Sequence, residues 1–210
     1  MSSGTKRQSV APPSGPKPSV NFSSSLTISK DAAIVGTHSI TMQAETVIHP
    51  RARFDSTLGS IIVGRRCVIH ERAHLGIKPR DLENAGTGGV SVGDYVVIEV
   101  GSQIESGGTE IGEGSIIQSG SQIGSGAKIG KVCMTMVDDV DVILTGRQNC
   151  TITPRSTVGP GEILPDQTVV YSNGQRRIDR RRILETRKMA LLKQINVVRK
   201  MIRSDPDKFR

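Results

Sequence analysis

Four histidines, His38, His49, His70 and His74, set the range of chemistry open to this chain. Zinc catalysis needs three imidazole nitrogens converging on one ion, with a further position left for water. General base catalysis needs less: one imidazole within reach of an acceptor hydroxyl or amine, oriented by a carboxylate. His70-Glu-Arg-Ala-His74 brings two imidazoles close in sequence, and Glu71 and Glu45 are the carboxylates nearest a histidine. Adjacent side chains on a flat strand point to opposite sides, so Glu71 is poorly placed to orient His70. The cysteines, Cys67, Cys133 and Cys150, are odd in number and lack a C-x-x-C spacing. They read as buried structural thiols in a reducing compartment, not as a disulfide framework.

The elements that must position these residues repeat every six positions. Val92, Ile98 and Ile104 form one aliphatic column, and Ile111, Ile117, Ile123 and Ile129 form another after a slip of one residue. Upstream, the columns are Ile28, Ile34 and Ile40, then Met42, Ile48 and Phe54, then Val63, Ile69 and Leu75; downstream they are Ile152, Val158, Leu164 and Val170. A period of six is neither the 3.6 of a helix nor simple alternation, so each unit reads as a short flat strand plus a bend in a solenoid. Gly93, Gly112, Gly124 and Gly130 directly follow column residues, at corners where the backbone turns with positive φ or lies close to the next coil. Aromatic residues make up only 2% of the chain, so a narrow aliphatic interior fits better than an ordinary core. His49 and His70 follow Ile48 and Ile69 about one coil apart, which predicts a stacked surface ladder.

The domain reading is an N-terminal disordered arm at 1–24, a solenoid at 25–174, a basic amphipathic helix at 175–204 and a tail at 205–210. Residues 76–89, rich in Gly with Pro and Asp, predict a loop thrown out from one corner, and the phase is lost at 131–149. Leu184, Leu191, Ile195, Val198 and Ile202 form an apolar stripe that must lie against the solenoid flank. From Arg176 to Arg210 there are 13 Lys and Arg against 4 Asp and Glu, so the formal charge of +8 belongs to the tail. The tail lacks interleaved aromatics, which argues against nucleic acid. An acidic partner facing Arg180, Arg181 and Arg182 fits better. No run of 18 to 20 apolar residues would span a bilayer, and no signal-peptide pattern opens the chain, so membrane insertion is not expected.

These repeats resemble the hexapeptide-repeat superfamily, which implies an all-β solenoid: a left-handed parallel β-helix with the α-helix packed along it. Thr46-Val-Ile-His-Pro-Arg-Ala-Arg-Phe54, Ile163-Leu-Pro-Asp-Gln-Thr-Val-Val-Tyr171 and Gly174-Gln-Arg-Arg177 resemble stretches of the small β-helical pointed-end subunits of dynactin. That resemblance implies a non-catalytic adaptor without a cofactor, in the cytoplasm and on the cytoskeleton, supporting dynein-driven, microtubule-based cargo transport. Its implied partners are the second β-helical pointed-end subunit, the actin-related protein at the filament end and, indirectly, dynein. One open coil end, either of the two, is the expected docking point, with Val170 the partner-binding residue in the C-terminal column. The alternative is a hexapeptide-repeat enzyme, either a γ-class carbonic anhydrase or an acyltransferase. The γ-class pattern has four residues between its paired histidines where this chain has three, and the Arg-Gly-Asp segment of that family is replaced by Ile34-Val-Gly-Thr-His-Ser-Ile40. The reading is therefore a chain with no catalytic, cofactor or metal residues.

Overall fold

The computed structural model describes residues 17–80, 87–130, 149–181 and 183–209. Short strands wind in parallel around three flat faces, giving a left-handed parallel β-helix of hexapeptide repeats with one C-terminal helix. The first coil contributes Val20–Phe22, Thr27–Ile28 and Ala33–Gly36 to the first, second and third faces. Each later coil stacks on the one before in register: Ile28 on Ile48, Ile48 on Ile69, Ile98 on Ile117. Where no residue is inserted, a coil is three hexapeptides, so Ile111 pairs with Ile129.

The aliphatic columns point inward and make the core. Ile48, Ile69, Ile98, Ile117, Ile152 and Val170 are fully buried on the second face, as are Phe54, Leu75, Ile104 and Val158 on the third. Two residues before each second-face column position lies a smaller buried row that includes Thr46, Cys67, Val96, Ser115 and Cys150. Fully burying an aliphatic side chain contributes about 1.5–3 kcal/mol, so the stacked columns alone hold the solenoid against its chain entropy.

The glycines after the column serve both of the purposes expected of them, at different corners. At Gly124 a Cβ would lie 2.6 Å from the Pro160 nitrogen of the next coil, so close approach is what excludes a side chain there. Gly130 takes the positive φ, at 73°, and the third residue after the column takes it regularly. Gly101 and Gly120 take it at 69° each, and at equivalent corners Arg51, Arg72 and Arg155 take it at 56° to 60°. Non-glycine residues tolerate this left-handed conformation at about 1–2 kcal/mol each.

Two excursions from the coils are expected from the sequence, at 76–89 and 131–149. The first leaves after the strand His74–Ile77, and its residues 81–86 lie outside the described residues. The second, expected at 131–149, falls outside them except for Asn149, as does most of the N-terminal arm.

The C-terminal segment departs from a simple helix. Residues Arg176–Ile178, expected within it, form an antiparallel strand on Thr168–Val170 and close the last edge of the second face. Next, α1 (Leu184–Met201) runs along that face, with Leu191 and Ile195 buried against Val47 and Val68. Arg187 reaches Asn149 and Thr151 near one end of the helix, and Arg199 reaches Thr27 and the Ser25 carbonyl near the other. Beyond α1 the chain turns back onto the first coil. The Ile28 amide donates to the Ser204 hydroxyl at 3.1 Å, and the Asp205 amide donates to the Ile28 carbonyl at 3.0 Å. One C-terminal segment thus caps both edges of the second face, supplying partners that open sheet edges otherwise lack.

Candidate functional site

The third face carries a polar ladder with a groove beside it; buried polar atoms without a hydrogen bond occur here at His74 and Ser125, and elsewhere at His49, Ser106 and Asp166. The outward positions of the third face, each one residue before a column position, stack as Arg53, His74, Gln103, Gln122 and Thr157. Successive rungs of such a ladder lie about 4.8 Å apart. Near one end of the ladder a groove of about 160 Å³ opens, with Gln103, Gln122 and Thr157 along it and Arg80, Glu105 and Ser125 beside them.

Glu105 ends the strand Gln103–Glu105, and its side chain is only 14% exposed. One of its oxygens accepts the Ser125 amide at 3.1 Å. Its other oxygen lies 3.9 Å from Nε of Arg80, whose side chain is 67% exposed. The Ser125 hydroxyl is buried and makes no hydrogen bond.

His74 lies on the rung next to Gln103 and is half-buried. Burial, reinforced by the charge of Arg53, holds its pKa below the ordinary imidazole value, while Asp55 from the preceding coil opposes that shift. A lowered pKa keeps the ring neutral at pH 7, the form that can accept a proton. Its Nε2 is buried and hydrogen-bonds to nothing. Buried polar atoms are nearly always paired, and exceptions concentrate where chemistry is done.

His49 and His70 form the expected stack, with ring centroids 4.6 Å apart at the corner after the second face. Burial lowers both pKa values, against the opposing charge of Glu71 at both rings and of Glu99 at His70; the Gln194 amide nitrogen of α1 lies 3.5 Å from Nε2 of His70, and Nε2 of His49 is buried without a hydrogen bond. The three-residue spacing therefore turns His70 and His74 onto different faces. His38 is exposed, with Nδ1 at 2.8 Å from the Ser56 carbonyl. Among the described residues no group of three His, Cys, Asp or Glu side chains is placed to hold a metal ion.

The residues expected to bind a partner are dispersed. Val170 is fully buried in the core, and its strand pairs edge to edge with Arg176–Ile178. Arg181 is held by Asp179 at 2.8 Å, which pulls the carboxyl down to about 2, whereas Arg180 is exposed and Arg182 lies outside the described residues. Cys67 and Cys150 are buried, and burial pushes their thiols up to about 12 and about 11, which makes them inert as nucleophiles. Cys133 lies outside the described residues.

Sequence reasoning passed over His74, Glu105 and the groove because it sought an orienting carboxylate beside each histidine in the chain. In a solenoid the neighbour in space is one coil away. The signal is present in the repeat itself: aligning the columns puts Arg53, His74, Gln103 and Gln122 in one row, because each precedes a column residue.

The fold is shared with two solved proteins. A hexapeptide transferase family protein from Anaplasma phagocytophilum superposes with a TM-score of 0.64 at 12% identity, over 87% of this chain and 93% of that one. A Bacillus cereus protein assigned as an acetyltransferase superposes with a TM-score of 0.55 at 15% identity, over 87% of this chain and 92% of that one. No family model and no curated protein matches the sequence. At these identities the likeness is one of fold, the hexapeptide-repeat solenoid. The expectation of a non-catalytic dynactin subunit in dynein-driven transport is corrected here: both of these solved proteins, which share the fold, are named as transferases, and neither supports the pointed-end assignment.

Proposed function

We propose that this chain is an acyl-transfer enzyme of the hexapeptide-repeat kind, with its site on the third face and His74 as general base. One observation carries the reading: a neutral imidazole with an unpaired buried nitrogen lies one rung from a groove that holds a largely buried carboxylate. The names of the two structural neighbours support the same class of chemistry.

The volume of about 160 Å³ is below the roughly 300–1,000 Å³ typical of a pocket for a whole small ligand. The groove therefore takes the reacting end of a substrate, with the rest lying over the flat face. His74 removes the proton from an acceptor hydroxyl or amine as that group attacks the carbonyl carbon of an acyl thioester. A new bond to oxygen or nitrogen forms, the carbon–sulfur bond breaks, and the proton passes from His74 to the departing thiolate. Gln103 and Gln122 can donate amide hydrogens to the carbonyl oxygen as it gains charge.

Turnover tests this assignment. Acetyl-coenzyme A is supplied with mixed amine and alcohol acceptors, and released thiol is followed for the wild type and for His74→Asn. A positioned base contributes about 10²–10⁴ in rate, so the variant should lose at least about a hundredfold with its thermal stability unchanged. Equal rates in the two proteins would remove His74 from the mechanism.

A further inference from the structure

We propose that the groove on the third face binds a primary amine as its ammonium ion, with Glu105 as the anionic anchor, so that the acceptor is an amine and not an alcohol. This inference rests on the acyl-transfer reading of the same groove.

Glu105 lacks a full set of partners. A largely buried carboxylate is ordinarily paired or fully hydrogen-bonded. One oxygen of Glu105 has the Ser125 amide, but the other has only Arg80, at 3.9 Å and beyond hydrogen-bond reach. The Arg80 side chain is mostly exposed, so water competes for it and weakens its hold. Beside the carboxylate are the buried, unpaired hydroxyl of Ser125 and the side-chain amides of Gln103 and Gln122.

An alkylammonium carries three N–H donors. They match three acceptors here: the Glu105 oxygen that faces Arg80, the Ser125 hydroxyl oxygen and a glutamine carbonyl. An alcohol brings one donor and no charge, and would leave the carboxylate uncompensated. An anionic ligand held by Arg80 would sit against Glu105 and be repelled. The neutral state of His74 matters too, because an imidazolium one rung from Gln103 would repel the ammonium.

The chemistry then balances. The bound ammonium gives one proton to His74, and the free amine attacks the thioester carbonyl. The carbon–nitrogen bond forms as the carbon–sulfur bond breaks, and the second N–H proton leaves with the thiolate as thiol. The products are an amide, a thiol and the proton that His74 returns to water.

The test is binding, read without a thioester. Backbone amide shifts of Gln103–Glu105 and Gln122–Ser125 are followed during titration with propylammonium, and with 1-propanol as its neutral match. Saturable shifts with propylammonium alone are expected. Affinity should be about tenfold weaker in Glu105→Gln, since a charge-assisted hydrogen bond is lost, and tighter in Arg80→Ala, which removes the competing cation. A merely structural role for Glu105 would not produce opposite signs in the two variants. Equal affinity in wild type and Glu105→Gln, weaker binding in Arg80→Ala, or equal binding of 1-propanol would each overturn the inference. Saturable amine binding without thiol release would sustain the amine site and sink the acyl-transfer reading. Thiol release with 1-propanol but no amine binding would do the reverse.

Discussion

The imidazoles of His49 and His70 lie face to face, and protonating either one puts a positive charge beside a ring that is itself partly withdrawn from water. Burial is the larger cause that lowers the pKa of each; for His49 the His70 charge adds to it, while Glu71 and Glu99 oppose it at His70. A group whose pKa is lower in the folded state stabilises that state above its unfolded value, and the contribution is lost as pH falls through the folded value. The melting temperature should therefore be flat above pH 7 and should decline below the unfolded value of 6.5. His49→Gln should flatten that decline, and a scan of melting temperature against pH for both proteins checks it. An unchanged slope would mean that the stack plays no part. The His49–His70 ladder was legible in the sequence because both residues hold the same place in the hexapeptide. The setting of His74 was not, because Asp55 acts on it from the preceding coil and the two are joined only by the register of stacked strands.

At the scale of elements, the corner residues separate conformational cost from steric cost. Gly101 has φ of 69° and open space where a Cβ would stand, whereas a Cβ on Gly76 would collide with the Asp55 carbonyl oxygen. Gly101→Ala should cost about 1–2 kcal/mol, the left-handed penalty alone. Gly76→Ala should cost clearly more, because the neighbouring coil must shift; urea denaturation of the two variants measures the difference. The helix gives a second comparison. Leu191 is 6% exposed on Val47 and Val68, so Leu191→Ala should lose about 2–5 kcal/mol, while Met189→Ala, 61% exposed, should lose almost nothing. The apolar stripe of α1 could be read at helical spacing. The strand Arg176–Ile178 could not: its arginines carry no strand pattern, and it forms because the last edge, Thr168–Val170, needs hydrogen-bond partners.

The whole molecule is a rod whose basic tail is spent largely on itself. Arg187, Lys188 and Arg199 clamp α1 to the solenoid, Lys188 through Glu113 at 2.8 Å, and Lys208 bonds the Lys30 carbonyl of the first coil. These four basic residues act as a strap between the C-terminal segment and the solenoid. Val170 belongs to the same closure, so Val170→Glu should destabilise folding by about 3 kcal/mol or more, since a lone carboxylate would be buried in the core. With the second face covered by α1, the third face keeps its polar ladder and groove open to a substrate. The measurement that tests this most directly is the footprint of acetyl-coenzyme A on the backbone amides of the full chain. Shifts centred on His74, Gln103–Glu105 and Gln122–Ser125 are the predicted result. Shifts confined to α1 and the second face, or none at saturating ligand, would contradict a transfer site on the third face.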